Sequence, residues 1–163
     1  MNSSPETSGW RTSGGFTVVE LVVVIVIVGV LGAIAMPKFV GNRTFQERGY
    51  YEELATSLKF AQKFAVATGC AVRVQIDAAG YEARQQQAAG GRCDAADTGW
   101  PTPVVLADGQ PLAGSAPAGV GVAPNVSVVF DALGRSNLGA DQVIAVGSFN
   151  LTIQAESGYV LAP

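Results

Sequence analysis

The sequence predicts an α+β fold in which a long N-terminal helix packs on an antiparallel β-sheet head. Two observations predict it. An almost uncharged apolar run at 16–36 leads into an amphipathic helical pattern that ends near Gly69. Beyond Gly69 the pattern changes to short stretches of alternating apolar residues between turn signals. We therefore divide the chain into a polar N-terminal segment, 1–15, a helix, 16–69, and a head, 70–163.

The apolar run from Phe16 to Met36 has 21 residues, of which only Glu20 is charged. As a helix it extends about 32 Å, and the hydrocarbon core of a bilayer is about 30 Å thick. We expect it to cross a membrane once. An ordinary secretory signal is shorter and ends in a small-residue cleavage site, whereas this run ends in Pro37-Lys38.

Glu20 needs a separate explanation, because a carboxylate inside a bilayer is costly. One interpretation is that it lies near the end of the span and reaches the headgroups. The other is that it pairs with a positive charge at similar depth. Cleavage just before Phe16 would create an α-ammonium four residues away, in the same chain or in a neighbouring subunit.

The second half of the helix is predicted to lie on the head. Pro37 removes one helical hydrogen bond and predicts a kink. One face then carries apolar residues at helical spacing: Tyr51, Leu54, Leu58, Ala61 and Ala65. We expect Glu52, Glu53 and Lys59 to be solvated.

Alternation predicts strands at 71–77 and 80–86, joined by a turn, and another at 125–130. A closing hairpin is expected from 149–155 and 158–162. The Gly- and Pro-rich stretch 88–124 is expected to be mostly loop, with a short strand near 104–106. Trp100, between Gly99 and Pro101, would anchor this loop on the core.

Composition excludes several kinds of site. The chain has no histidine and two cysteines, which excludes Ser-His catalysis and a four-ligand zinc site. Asp94, Asp97 and Asp108 lack the spacing of a calcium loop and are expected to form turns. We therefore expect no catalytic residues, metal or cofactor. The net charge is −3, so no nucleic-acid partner is expected.

The residues Gly15-Phe16-Thr17-Val18-Val19-Glu20-Leu21 resemble the prepilin processing motif of type IV pilins and type II secretion pseudopilins. The resemblance implies a leader at 1–15 that prepilin peptidase removes between Gly15 and Phe16, followed by N-methylation of Phe16. Glu20 would then neutralise the amino terminus of an adjacent subunit. Pro37 matches the proline common in these helices. The implied partners are the peptidase, other major and minor pilins, and the inner membrane before assembly.

The head also resembles members of this family. The segments LATSLKFAQKFAVATGCAVRVQI, FDALG and LTIQAESGYV are similar to the H-type pseudopilin and FimT group, and FQERGYYEEL resembles C minor pilins of mannose-sensitive haemagglutinin (MSHA) pili. The resemblance implies a minor pilin, anchored in the inner membrane with a periplasmic head and extracellular once assembled. An H-type pseudopilin of a type II secretion system is the alternative.

Two further expectations concern the head. Outside the cytoplasm Cys70 and Cys93 are expected to form a disulfide that staples a small domain. A function of another class, adhesion or ligand binding, could use Trp100, Tyr81 or the Gly/Pro-rich loop.

Overall fold

The computed structural model describes residues 16–40, 42–89, 92–94 and 96–163. The chain divides into two compact units, Met1–Val40 and Gly41–Pro163. Helix α1 (Val18–Val40) lies in the first unit and helix α2 (Asn42–Thr68) begins the second. The second unit thus includes α2, which supplies part of the core of the head.

Short strands follow α2. They are β1 (Val72–Asp77), β2 (Gly80–Gln85), β3 (Ala88–Ala89), β4 (Arg92–Cys93), β5 (Thr102–Pro103), β6 (Ala113–Ser115), β7 (Val122–Ala123), β8 (Val126–Phe130), β9 (Gln142–Val146), β10 (Phe149–Ile153) and β11 (Val160–Leu161).

The strands form two main antiparallel sheets. The first has the order β5-β2-β1-β8, and β6 also pairs with β2. The second has the order β11-β10-β9-β7, and β3 and β4 form a separate pair. In the first sheet Arg73 of β1 lies opposite Arg84 of β2 and Val129 of β8. The predicted fold class, helix plus antiparallel head, is confirmed.

The predicted apolar faces form the core. In β1 the side chains of Val72, Val74 and Ile76 are at most 1% exposed, as the alternation predicts. In α2 the five predicted face residues are buried, and the helix packs against both main sheets. One hydrophobic cluster thus joins α2 to the two sheets.

One strand prediction was wrong, and one strand was missed. The strand expected near 104–106 is replaced by β5, two residues earlier, and by a single bridge between Val105 and Pro111. A tight turn closes here, because the Gly109 amide donates to the Leu106 carbonyl at 3.0 Å. Strand β9 was not predicted, although its Ile144 and Val146 are fully buried.

Candidate functional site

The start of α1 carries the residues assigned to processing and assembly. Phe16 precedes the helix and is 79% exposed. Thr17 caps the helix: its Oγ1 accepts a hydrogen bond from the Glu20 amide at 3.2 Å, and its carbonyl accepts one from the Leu21 amide at 3.1 Å. Gly15, on the other side of the predicted cleavage point, lies outside the described residues.

Glu20 lies in the first turn of α1. Together with Thr17 it forms the Thr-x-x-Glu sequence of a capping box, and a carboxylate near a helix N-terminus is stabilised by the helix dipole. Sequence reasoning missed this local role, although the spacing of the two residues signals it. The structure shows one hydrogen bond of this motif, in which the Glu20 amide donates to Thr17 Oγ1.

The apolar side chains of α1 are exposed from Val18 to Leu31. Their exposed fractions lie between 48% and 79%. Such a continuous apolar surface marks contact with another protein or a membrane.

Among the described residues, no helix is both long enough and apolar enough to be assigned as a membrane span. Helix α1 includes Pro37. The membrane span at 16–36 and the kink at Pro37 stay predictions.

The two cysteines are joined in the structure. Cys70 and Cys93 form a disulfide with a Cα–Cα distance of 5.3 Å. The bond links the segment after α2 to β4 and encloses the β1–β2 hairpin. Cys70 is 5% exposed, so this end of the disulfide is packed within the head.

The loop aspartates form turns, as predicted. The Oδ1 atoms of Asp94, Asp97 and Asp108 accept hydrogen bonds from backbone amides two residues further on, at 2.8 to 3.0 Å. Within the described ranges no group of three or more acidic, Cys or His side chains is placed to hold a metal ion.

The FDALG segment forms a turn after β8, where Phe130 is fully buried. The Oδ1 of Asp131 accepts hydrogen bonds from the Leu133 and Arg135 amides, both at 2.8 Å, and its Oδ2 accepts one from Arg135 Nε at 3.0 Å. Desolvation raises the pKa of Asp131, but these bonds and the guanidinium charge outweigh it and hold the pKa below its ordinary value. Gly134 completes the turn with a φ of +79°.

Gln62 of α2 connects that turn to the last hairpin. Its Nε2 donates to the Gly134 carbonyl at 2.8 Å and to the Ser157 carbonyl at 3.0 Å. A Cβ at position 158 would overlap the Gly134 carbonyl oxygen, and Gly158 has a φ of +65°. Only glycine fits there, so the last hairpin can approach the FDALG turn this closely.

A buried hydroxyl cluster lies between α2 and β2. Ser57 Oγ donates to the Tyr81 hydroxyl, which donates to Glu53 Oε1, both at 2.8 Å. Burial, with a smaller contribution from Glu53, raises the pKa of Tyr81 to about 12. Burial, with smaller contributions from the nearby Tyr81 and Glu53, likewise raises the pKa of Tyr50 to about 12. Among the described residues, the buried Tyr50 hydroxyl has no hydrogen-bond partner.

This cluster corrects two expectations. Tyr81 is 7% exposed and therefore cannot serve as a surface adhesion residue. Glu53 is on the surface, as expected, but it also accepts a hydrogen bond from a buried phenol. The sequence could not show this contact, because it joins residues that lie 28 positions apart.

The sequence led us to expect Trp100 to anchor its loop on the core, but the structure does not place it there. It is half-buried, and the guanidinium of Arg73 lies 5.4 Å from its ring centroid. Arg73 alternates with the buried residues of β1, so this contact is on the outer face of the sheet.

Three comparisons place the chain among known proteins. Residues 51–161 match the family model described as Type II transport protein GspH, and residues 10–36 match the prokaryotic N-terminal methylation motif. The chain is 47% identical over 45 residues to the Type IV major pilin protein PilA of Myxococcus xanthus (strain DK1622). That match covers 28% of this chain and 19% of PilA. No solved structure matches.

The GspH match covers more than half of the chain and contains the FDALG turn, the Gln62 contacts and the disulfide. The methylation motif contains Phe16 and Glu20. The chain therefore belongs to the type IV pilin-like family, within the group described as Type II transport protein GspH.

Proposed function

We propose that this chain is a minor type IV pilin, a structural subunit that takes part in assembling a pilus of MSHA type or its tip complex. The observation that carries the proposal is the start of α1. There Glu20 lies in the first turn of a Thr17-capped helix whose apolar side chains are exposed. This arrangement suits a helix whose exposed apolar side chains pack against the helices of other subunits.

The proposed sequence of events begins with prepilin peptidase. It hydrolyses the Gly15–Phe16 bond and methylates the new Phe16 nitrogen, which remains a protonated amine. In the apolar filament interior an unpaired carboxylate would be strongly unfavourable. Glu20 therefore pairs with the amino terminus of an adjacent subunit, and this pairing sets the axial position of each incoming helix.

The precursor lies in the inner membrane with its head in the periplasm, and the subunit becomes extracellular within the pilus. Its partners are the peptidase and other pilins. We propose no catalytic activity, cofactor or nucleic-acid partner. In the described head, the side chains of Gln62 and Asp131 bind groups of the head itself, which suits a structural role.

The alternative is an H-type minor pseudopilin of a type II secretion system. The GspH match over the head favours this function, whereas the PilA match favours a pilus. Deleting the gene distinguishes them. Loss of surface pili with normal secretion supports the minor pilin, and loss of protein secretion with normal pili supports the pseudopilin.

The first experiment is intact mass and N-terminal sequencing of the protein purified from its native membranes. We expect a chain that begins at Phe16, carries one extra methyl group and lacks the two hydrogens of a Cys70–Cys93 disulfide. A strain without prepilin peptidase is the control and should retain Met1. A chain that begins at Met1 despite an active peptidase would contradict the proposal.

A further inference from the structure

Two arginines lie opposite each other on the outer face of the first sheet. Arg73 of β1 and Arg84 of β2 are direct cross-strand partners, an arrangement that destabilises a sheet when both charges have the same sign. Arg84 is compensated by Glu82, with Nε to Oε1 at 2.8 Å. Among the ion pairs of the described residues, Arg73 has no carboxylate partner. Its guanidinium keeps its hydrogen-bonding capacity for something else.

Trp100 lies over this guanidinium in a strained conformation. Its φ of 51° is the only positive value at a non-glycine residue among those described. A bulky residue in this region costs on the order of 1–3 kcal/mol, and such strain occurs mostly at functional sites. The neighbouring backbone holds it: Asp97 accepts hydrogen bonds from the Gly99 and Gln87 amides at 2.8 and 2.7 Å.

Arg84 completes the arrangement, because its Nη1 donates to the Trp100 carbonyl at 3.5 Å. The loop therefore holds a half-buried indole beside one unpaired and one paired guanidinium. An aromatic face packs on the C–H surface of a sugar ring, and a planar guanidinium binds a carboxylate through two parallel hydrogen bonds. We propose that Trp100, Arg73 and Arg84 form a binding platform for an acidic saccharide, a sugar that carries a carboxylate.

Charge favours a saccharide over a nucleic acid. A protein that follows a phosphate backbone needs several cations in a row. Here the chain has a net charge of −3, and after Cys93 it has one basic residue against six acidic ones. A single carboxylate needs only one free guanidinium, which Arg73 supplies. This binding proposal holds equally for a subunit of a pilus and for one of a type II secretion system.

The test uses the processed chain in a non-ionic detergent. Its only tryptophan is Trp100, because the other, Trp10, precedes Phe16. We expect a trimer of galacturonic acid to change the fluorescence saturably, and a trimer of galactose to do so far more weakly. Arg73→Gln should weaken the affinity by a factor of about 10 to 100, because one charge-assisted contact is lost. Arg73→Lys keeps the charge but lacks the planar guanidinium. Its saccharide affinity should lie between those of the wild type and Arg73→Gln.

Arg48→Gln is the matched control. Arg48 also lies over an aromatic ring, 5.8 Å from the Phe149 centroid, but it is paired with Glu52. Its substitution should leave saccharide affinity unchanged, and circular dichroism should show each variant folded. Three results would overturn the proposal: no saturable change, wild-type affinity in Arg73→Gln, or tighter binding of a single-stranded oligonucleotide of equal charge at 0.15 M salt.

Discussion

Helices α1 and α2 are neighbours in the chain, yet their side chains have opposite environments. The described apolar side chains of α1 are exposed, whereas α2 buries a stripe in which Leu54, Leu58 and Ala61 are fully inaccessible. A helix with one apolar stripe completes its packing within its own domain, but a helix that is apolar all round needs surroundings from outside. The difference indicates that α2 stabilises the head, whereas α1 needs contact with another protein or a membrane.

Polar groups follow the same division. In the head, the side chains of Gln62 and Asp131 bind backbone groups of the head itself. In α1, the amide of Glu20 donates to Thr17 Oγ1, a contact within the first turn of the helix. A substitution in α1 should therefore affect assembly, and one in α2 or the head should affect the free energy of unfolding.

The largest expected effect is that of Glu20→Gln. The amide side chain is nearly isosteric and suits a capping box, so the helix start and cleavage should be retained. Loss of the charge should lower incorporation into pili at least about tenfold, because a missing ion pair in a low-dielectric interior costs more than 1.4 kcal/mol. Immunoblotting of sheared pili and of membranes measures the incorporated fraction.

Thr17→Ala is the control for the cap. It removes the hydroxyl that accepts from the Glu20 amide but keeps the carboxylate. Incorporation should remain close to wild type. If Glu20→Gln assembled normally while Thr17→Ala did not, the role of Glu20 would be to start the helix rather than to pair with an amino terminus.

Leu58→Ala should affect the head alone. Leu58 is fully buried, so truncation should lower the free energy of unfolding by about 2–5 kcal/mol. The matched change in α1 is Leu31→Ala, because Leu31 is 60% exposed and should leave the unfolding of the head unchanged. Denaturant titration followed by circular dichroism measures both, and equal losses in the two variants would contradict the division.

The sequence predicts those parts of the fold in which one strong pattern decides the structure. The alternation in β1 and the helical spacing in α2 identify the buried faces, because burial of apolar area dominates there. The start of α1 was expected at Phe16 and lies at Val18, two residues later. Local patterns suffice for elements that form locally.

Other features depend on contacts that no local pattern shows. The two-residue strands β5 and β7 exist because a neighbouring strand pairs with them. Trp100 was expected on the core, but Arg73, 27 positions earlier, supplies its stacking partner on the outer face. The environments of Glu53 and Tyr81 likewise depend on the packing of α2 on the sheet.

Removing the disulfide should lower the free energy of unfolding of the head by an intermediate amount. Its cysteines are 23 positions apart, and a crosslink over such a loop contributes about 3 kcal/mol in the chain-entropy model. The double variant Cys70→Ala/Cys93→Ala should lose about that much free energy of unfolding, and wild type in reductant should match it. A loss below about 1 kcal/mol against oxidised wild type would contradict the stapling role.

The smallest effects separate two neighbouring tyrosines, whose ring centroids are 6.2 Å apart. Tyr81→Phe leaves Ser57 and Glu53 without their shared partner and should destabilise the head by about 1–3 kcal/mol. Tyr50→Phe removes a buried hydroxyl that has no partner among the described residues, so it should be neutral or stabilising by about 1 kcal/mol. Thermal unfolding at pH 7 measures the stability of the two variants. Equal destabilisation would contradict the difference in hydrogen bonding.

The same pair predicts an alkaline transition. Both folded-state pKa values are raised from 10.0 to about 12, so unfolding favours ionisation. The stability contributed by the neutral phenols is fully present below pH 10 and is lost as the pH rises from 10 towards 12. Tyr50→Phe should make the loss of stability across this window shallower, because one of the two shifted groups is gone. An unchanged slope would show that Tyr50 ionises as readily in the folded head as in the unfolded chain, contrary to its burial beside Tyr81 and Glu53.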